Sequence, residues 1–293
     1  MSITSTKIIL MIAYVLLAPI VGGLLEGFDR KISARMQRRV GPPILQPFYD
    51  VIKLFSKQVI IVSRSQMFFL LSYFVLILVT GVMFFAGTDM LMCFFVMSTG
   101  ATFLYFAAMV TSTPYSTMGG NRELIQMLAY EPAVLLTCVG FYLAEGTFNV
   151  GDIASSDWSA ITFLPGFFIA FVFILTIKMR KSPFDLSTSH HMHQELVKGL
   201  TTEMGARNLA IFQVTEWYEN VFLMGVVGLY IVNSTWWSIP IAIAVVLITY
   251  FVEILIDNTS ARVKWDMMVK LSWGVTALSA GVNLIILMIM KRV

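Results

Sequence analysis

Five carboxylates sit where the sequence offers them almost no water. Glu131, Glu216, Glu219 and Glu253 fall inside long apolar runs, and Glu26 lies near the end of another. A charge at the centre of a membrane helix costs on the order of 3 kcal/mol or more, so such residues persist where they carry protons, line ion paths or bond a neighbouring helix. Glu216 and Glu219 are three apart and share one helical face. Carboxyls so placed can pass a proton, the chemistry preferred for Glu131 and Glu216. For Glu219 and Glu253 interhelical hydrogen bonding stands beside it. Glu26 can also snorkel to the interface.

Other chemistry is thinly represented. His190, His191 and His193 lie within four residues, and on a helix His191 and Glu195 would be four apart, a possible ligand pair. No further ligand follows from the spacing, so no metal is expected there. Interfacial or proton-accepting roles near neutral pH fit better. The two cysteines, Cys93 and Cys138, form no C-x-x-C pair and cannot hold an iron–sulfur cluster. GxGxxG, Walker A and G-x-S-x-G motifs are all missing. No catalytic residue and no cofactor is assigned to this chain, and redox chemistry is expected on partner chains. The 19 methionines read as adaptable apolar packing, not copper ligands.

The elements that must position these residues are membrane helices. Of 293 residues 58% are hydrophobic and only 13% charged, against about 25% charged in soluble domains; mean hydropathy is +0.81. Continuous apolar runs of about 20 residues indicate helices, not an alternating barrel pattern. An all-α, polytopic membrane domain of eight spans is expected, at roughly 7–28, 66–87, 90–111, 123–144, 160–178, 208–232, 237–257 and 272–290. The first run is too long for a cleavable signal and reads as a membrane helix. Seventeen of the 20 Lys and Arg fall in the alternate connections 29–65, 112–122, 179–207 and 258–271. The positive-inside rule then predicts these loops in the cytoplasm and both termini outside, in the cytoplasmic (inner) membrane.

Two of the basic connections, about 37 and 29 residues, are long enough to imply function. In the first, GPPILQP predicts a rigid turn and FYDVIKLFSKQ a short amphipathic helix. There Phe48, Val51, Ile52, Leu54 and Phe55 share an apolar side, and Asp50 lies three before Lys53. In the second, helical geometry would pair Glu195 with Lys198 and Glu203 with Arg207.

These stretches resemble a known family. Asp29, Arg30, Gln37, Arg39, Gly41, Pro42, Leu45, Gln46, Pro47, Asp50, Lys53 and Leu54 carry the pattern of a first cytoplasmic loop. That loop belongs to the eight-helix membrane subunit found in respiratory complex I and in energy-converting nickel–iron hydrogenases. Pro183, Phe184, Asp185, Glu195, Leu196, Gly199, Glu203, Gly205 and Glu216 carry a second match; Arg122, Tyr130 and Glu131, and then Arg262, Asp266 and Trp273, carry two more. Two departures resemble the hydrogenase branch, including Ech-type and formate-hydrogenlyase relatives. Gly41–Pro42 runs almost directly into Leu45–Gln46–Pro47, and Leu186-Ser187-Thr188-Ser189 stands where complex I proteins carry acids.

The resemblance implies the anchor and coupling subunit of an ion-translocating, ferredoxin-linked hydrogenase complex, moving H⁺ or Na⁺. Its partners would be the hydrogenase large and small subunits, a ferredoxin-like iron–sulfur subunit, an antiporter-like membrane subunit and the bilayer, with no nucleic acid. The nickel–iron centre and the clusters would sit in the partners. Glu131, Glu195, Glu203, Glu216, Glu219, Asp185 and Arg122 would serve proton or ion coupling. Arg30, Arg39, Asp50, Lys53, Arg262 and Asp266 would dock the hydrophilic subunits. The alternative is the quinone-site subunit of a complex I-like oxidoreductase. An autonomous transporter is disfavoured because no inverted repeat is visible.

Overall fold

The computed structural model describes residues 3–59, 63–188, 196 and 198–290. Among them there is no strand. The chain builds α1 (Ile3–Met36), α2 (Gln46–Ser56), α3 (Arg64–Phe85), α4 (Met90–Met109), α5 (Pro114–Glu145) and the short α6 (Val150–Ala154). It continues through α7 (Pro165–Lys178), α8 (Ala206–Leu229), α9 (Ser238–Thr259), α10 (Trp265–Thr276) and α11 (Val282–Met290). One π turn, Ala277–Gly281, joins α10 to α11 into a single column.

Six columns are long and apolar enough to cross a bilayer: α1, α3, α4, α5, α9 and α10–α11. The other two predicted spans are helices of a different kind. The 14 residues of α7 reach only about 21 Å at 1.5 Å each, short of a hydrocarbon core of about 30 Å. Length is no obstacle for α8, but Arg207, Glu216 and Glu219 break its apolarity. Boundaries also move. The fourth span starts at Pro114, where proline takes the first turn, so Arg122 is helical and not in a loop. It also runs through Pro132 without ending. The fifth starts at Pro165, after a 3₁₀ turn at Ala160–Thr162.

Alternate connections gather at opposite ends. At one end Asn258 at the foot of α9 donates to Ser33 Oγ of α1 (2.9 Å), and Asn208 of α8 donates to Gln66 of α3 (3.0 Å). Val263 N–H bonds Pro183 across the two remaining basic connections (3.0 Å). At the other end Val150 N–H bonds Thr88 (3.0 Å) and Ile161 N–H bonds Tyr230 (2.8 Å). Exposed Trp158, Trp236 and Trp237 cluster at that end, as in an interfacial aromatic belt.

Lipid tails are as apolar as leucine, so close van der Waals packing holds such helices together. The α1–α8 contact shows it: a Cβ at Gly22 would lie 2.6 Å from Trp217 Cβ and 2.7 Å from its carbonyl oxygen. Inside, Phe84, Phe94 and Phe222 meet edge to face at centroid distances of 5.3–5.6 Å, worth roughly 0.5–1.5 kcal/mol per pair beyond burial. Helix α2 lies across α8 and buries only part of its expected apolar side. Val51, with Phe48 and Leu54, packs on Trp217 and Ala210. Ile52 and Phe55 turn outward beside Tyr49 and are half or more exposed, because residues four and three apart on so short a helix cannot all reach one neighbour.

Candidate functional site

Where the feet of α1, α8 and α9 meet the turn after α7, a cavity of about 770 Å³ opens. Its floor is ionic. The chain leaves α7 at Lys178 and folds back through Arg180, whose φ of 52° is left-handed and strained for a non-glycine residue. The turn aims three cations in three directions. Arg180 reaches α5 and α8 at once: Nε and Nη2 donate to the Glu123 carboxylate (3.1 and 2.6 Å), and Nη1 donates to Glu216 Oε1 (2.8 Å). Phe212 supports the guanidinium at 5.5 Å. Lys178 Nζ lies 2.6 Å from Glu219 Oε1 and 3.1 Å from the Tyr130 hydroxyl, while Tyr73 O–H donates to Glu219 Oε2 (2.7 Å). Lys181 Nζ pairs with Asp29 Oδ2 of α1 at 2.8 Å.

A second ionic ring ties α1 to α2. Arg30 donates to Glu26 (2.5 Å) and Asp50 (2.6 Å), Gln46 donates to Asp50 (2.9 Å), and Trp217 Nε1–H donates to Glu26 (2.5 Å). Partial burial pushes the Asp50 carboxyl up. The hydrogen bonds from Arg30 and Gln46 and the charges of Arg30 and Lys53 outweigh it and hold Asp50 below the usual aspartate range.

The structure brings together only some of the predicted coupling residues. Glu216 lines the cavity with its side chain 32% exposed, and Glu219 is buried behind it. Asp185 is buried and faces Arg262 (Nε to Oδ1, 3.4 Å). Arg122 reaches the Leu186 carbonyl (3.5 Å). Glu131 stands apart: it is half-buried on α5, does not line the cavity, and makes no hydrogen bond or ion pair among the described residues. Glu203 precedes α8, and since the helix starts at Ala206 the predicted pair with Arg207 does not form. Glu195, His190, His191 and His193 lie outside the described residues.

The docking candidates divide as well. Arg30, Asp50 and Arg262 bond within the chain. Arg39 lies exposed at the cavity rim, bonded to Gln37 (2.9 Å), and Lys53 and Asp266 are exposed. Sequence reasoning passed over Glu123, Lys178, Arg180, Lys181 and Asp29. The available signal was three cations in four residues at the end of an apolar run that also had to satisfy acids inside other runs.

What this arrangement can do is hold a polar molecule against a fixed charge array and link it to buried carboxyl and phenol groups. No group of three His, Cys, Asp or Glu converges as a metal site among the described residues.

The pattern of the NADH dehydrogenase family matches residues 7–288. A membrane-complex relative from Magnetococcus marinus, a subunit of its NADH-quinone oxidoreductase, is 30% identical over 89% of this chain and 84% of its own length. The corresponding NADH-quinone oxidoreductase subunit of Rhodospirillum rubrum is 26% identical, covering 92% and 89%. Among solved structures, a chain of the membrane-bound sulfane sulfur reductase, an archaeal respiratory membrane complex, superposes with a TM-score of 0.85 at 22% identity, covering 96% of this chain and 99% of that one.

Proposed function

We propose, because this chain belongs to the NADH dehydrogenase family, that it is the membrane subunit of a complex I-like respiratory assembly and that its cavity receives a quinone headgroup. The observation that carries this reading is the cavity itself: polar groups on Arg180, Glu216 and Gln213 face it beside the apolar surfaces of Leu209, Phe212 and Trp217, the mixed lining a quinone ring with an isoprenoid tail would meet. Electrons would come from iron–sulfur clusters on a hydrophilic partner bound over the basic end. This chain would position the headgroup, and its buried ion pairs would respond to the change in charge when the quinone is reduced and protonated. The basic end is assigned to the cytoplasm by the positive-inside rule, with both termini outside.

A second reading rests on the sequence at two places. Gly41–Pro42 leads almost directly into Leu45–Gln46–Pro47, and no acid follows Asp185 up to Thr188. These features favour the anchor of a nickel–iron hydrogenase complex, with large, small, ferredoxin-like and antiporter-like partners. One experiment separates the two. The native complex, extracted in mild detergent, is irradiated with a photoreactive quinone. Labelling near Phe212 and Trp217 that unlabelled quinone suppresses supports the first reading. Co-purified nickel, with no specific labelling, overturns it in favour of the second.

A further inference from the structure

Glu253 is the one carboxylate of α9 that the ionic floor leaves out. It is fully buried, and neither carboxyl oxygen has a hydrogen-bond partner among the described residues. It does not line the cavity. Tyr250, Glu253 and Asp257 follow one another up a single face of α9 at spacings of three and four. Lys181 sits over this face, with Nζ 4.8 Å from the Tyr250 ring centre, and its charge acts on Glu253. Yet Lys181 is drawn the other way, to Asp29 at 2.8 Å, without the alignment of a hydrogen bond. One cation thus stands between two acids of unequal surroundings.

The inequality decides where a proton resides. Asp29 lines the cavity, is 19% exposed, and accepts from Ser33 Oγ (3.2 Å), so it stays ionised with or without Lys181. Glu253 has no comparable support. Leaving an ionised carboxylate buried and unpaired costs several kcal/mol. The groups that face it from each packed element are few. The turn after α7 supplies Lys181, and α9 supplies Asp257, which accepts Ser182 N–H at 2.7 Å. From α1, Asp29 and Glu26 act on the neighbouring Tyr250. On α8, Glu216 and Glu219 are held by Arg180 and Lys178.

We propose that Glu253 is a proton-binding site controlled by the position of Lys181: it holds a proton while Lys181 rests on Asp29, and releases it to cavity water when Lys181 swings across to pair with the carboxylate. The ligand is a proton and not a metal cation, because the nearest charged group facing Glu253 from another element is itself cationic. The exchange balances as one proton released for one buried Lys181–Glu253 pair formed, with Asp29 left to the solvent of the cavity.

The test is infrared spectroscopy of the intact complex in native membranes, perfused across a pH series in H₂O and D₂O. The expected result is one deuterium-sensitive band from a protonated buried carboxyl, lost in Glu253→Gln. Asp29→Asn, which leaves Glu253 in place but frees Lys181 to move onto it, should also lose the band. Lys181→Met should keep it. The Asp29 and Lys181 variants decide the matter even if Glu253→Gln fails to assemble. A band unchanged in Asp29→Asn, lost in Lys181→Met, or erased by Na⁺ and not K⁺ at constant pH overturns the proposal.

Discussion

Removing the Arg180 guanidinium leaves Glu123, with its side chain 5% exposed, as an unpaired buried carboxylate on α5. Glu216 fares better, since 32% of its side chain faces the cavity. The cost of Arg180→Met is therefore dominated by Glu123, and stranding one partner of a buried pair costs roughly 3–5 kcal/mol. At about 2–4 °C per kcal/mol for a chain somewhat smaller than this one, the temperature of half-loss of folded protein should fall by roughly 6–20 °C. Unfolding from detergent or lipid is irreversible, so the comparison is made at one scan rate. Fluorescence-detected size-exclusion after heating, on the intact complex, reads it directly. The double variant Arg180→Met, Glu123→Gln removes the stranded charge while keeping the shape, and should recover at least half of the loss. Glu123→Gln alone should cost less than Arg180→Met, because Arg180 retains Glu216. A single Arg180→Met variant within about 2 °C of wild type would refute the argument that this turn clamps α5 to α8. So would a double variant less stable than the single one.

Two further outcomes are expected. Asp50 is held below the ordinary aspartate range by Arg30 and Gln46, so its contribution to the α1–α2 contact is present above the unfolded value of about 3.9 and is lost as pH falls through the lower folded value; hydrogen exchange in 46–56 should rise at the acid end of that window, and Asp50→Asn should show the faster exchange at neutral pH with no acid step. Because Cys93 and Cys138 are buried, Lys53→Cys and Asp157→Cys can be labelled on an otherwise quiet background; an impermeant maleimide should reach position 157 in intact cells and position 53 only after permeabilisation, and the reverse would overturn the orientation.

The helices are legible in the sequence because membrane solvation acts on composition: a run of about 20 apolar residues needs no tertiary information to be read as a span. The two that read least well, α7 and α8, are the two that carry the site. There the sequence serves two masters, and the charges that end or interrupt the apolar run are the ones the fold turns inward. Lys178, Arg180 and Lys181 read as loop cations because a base beside a span usually stays in water and reports sidedness. What reverses their role is the left-handed Arg180, which folds the chain back under α5, and no residue type in Met179-Arg180-Lys181 announces that turn. The same blindness exchanges Glu131 for Glu123. Both are acids on α5, two turns and more apart, and only the height at which Arg180 arrives selects between them. A buried acid is thus identified as functional less by its depth in its own helix than by the cation another element brings to it, and that pairing is a property of the assembled fold.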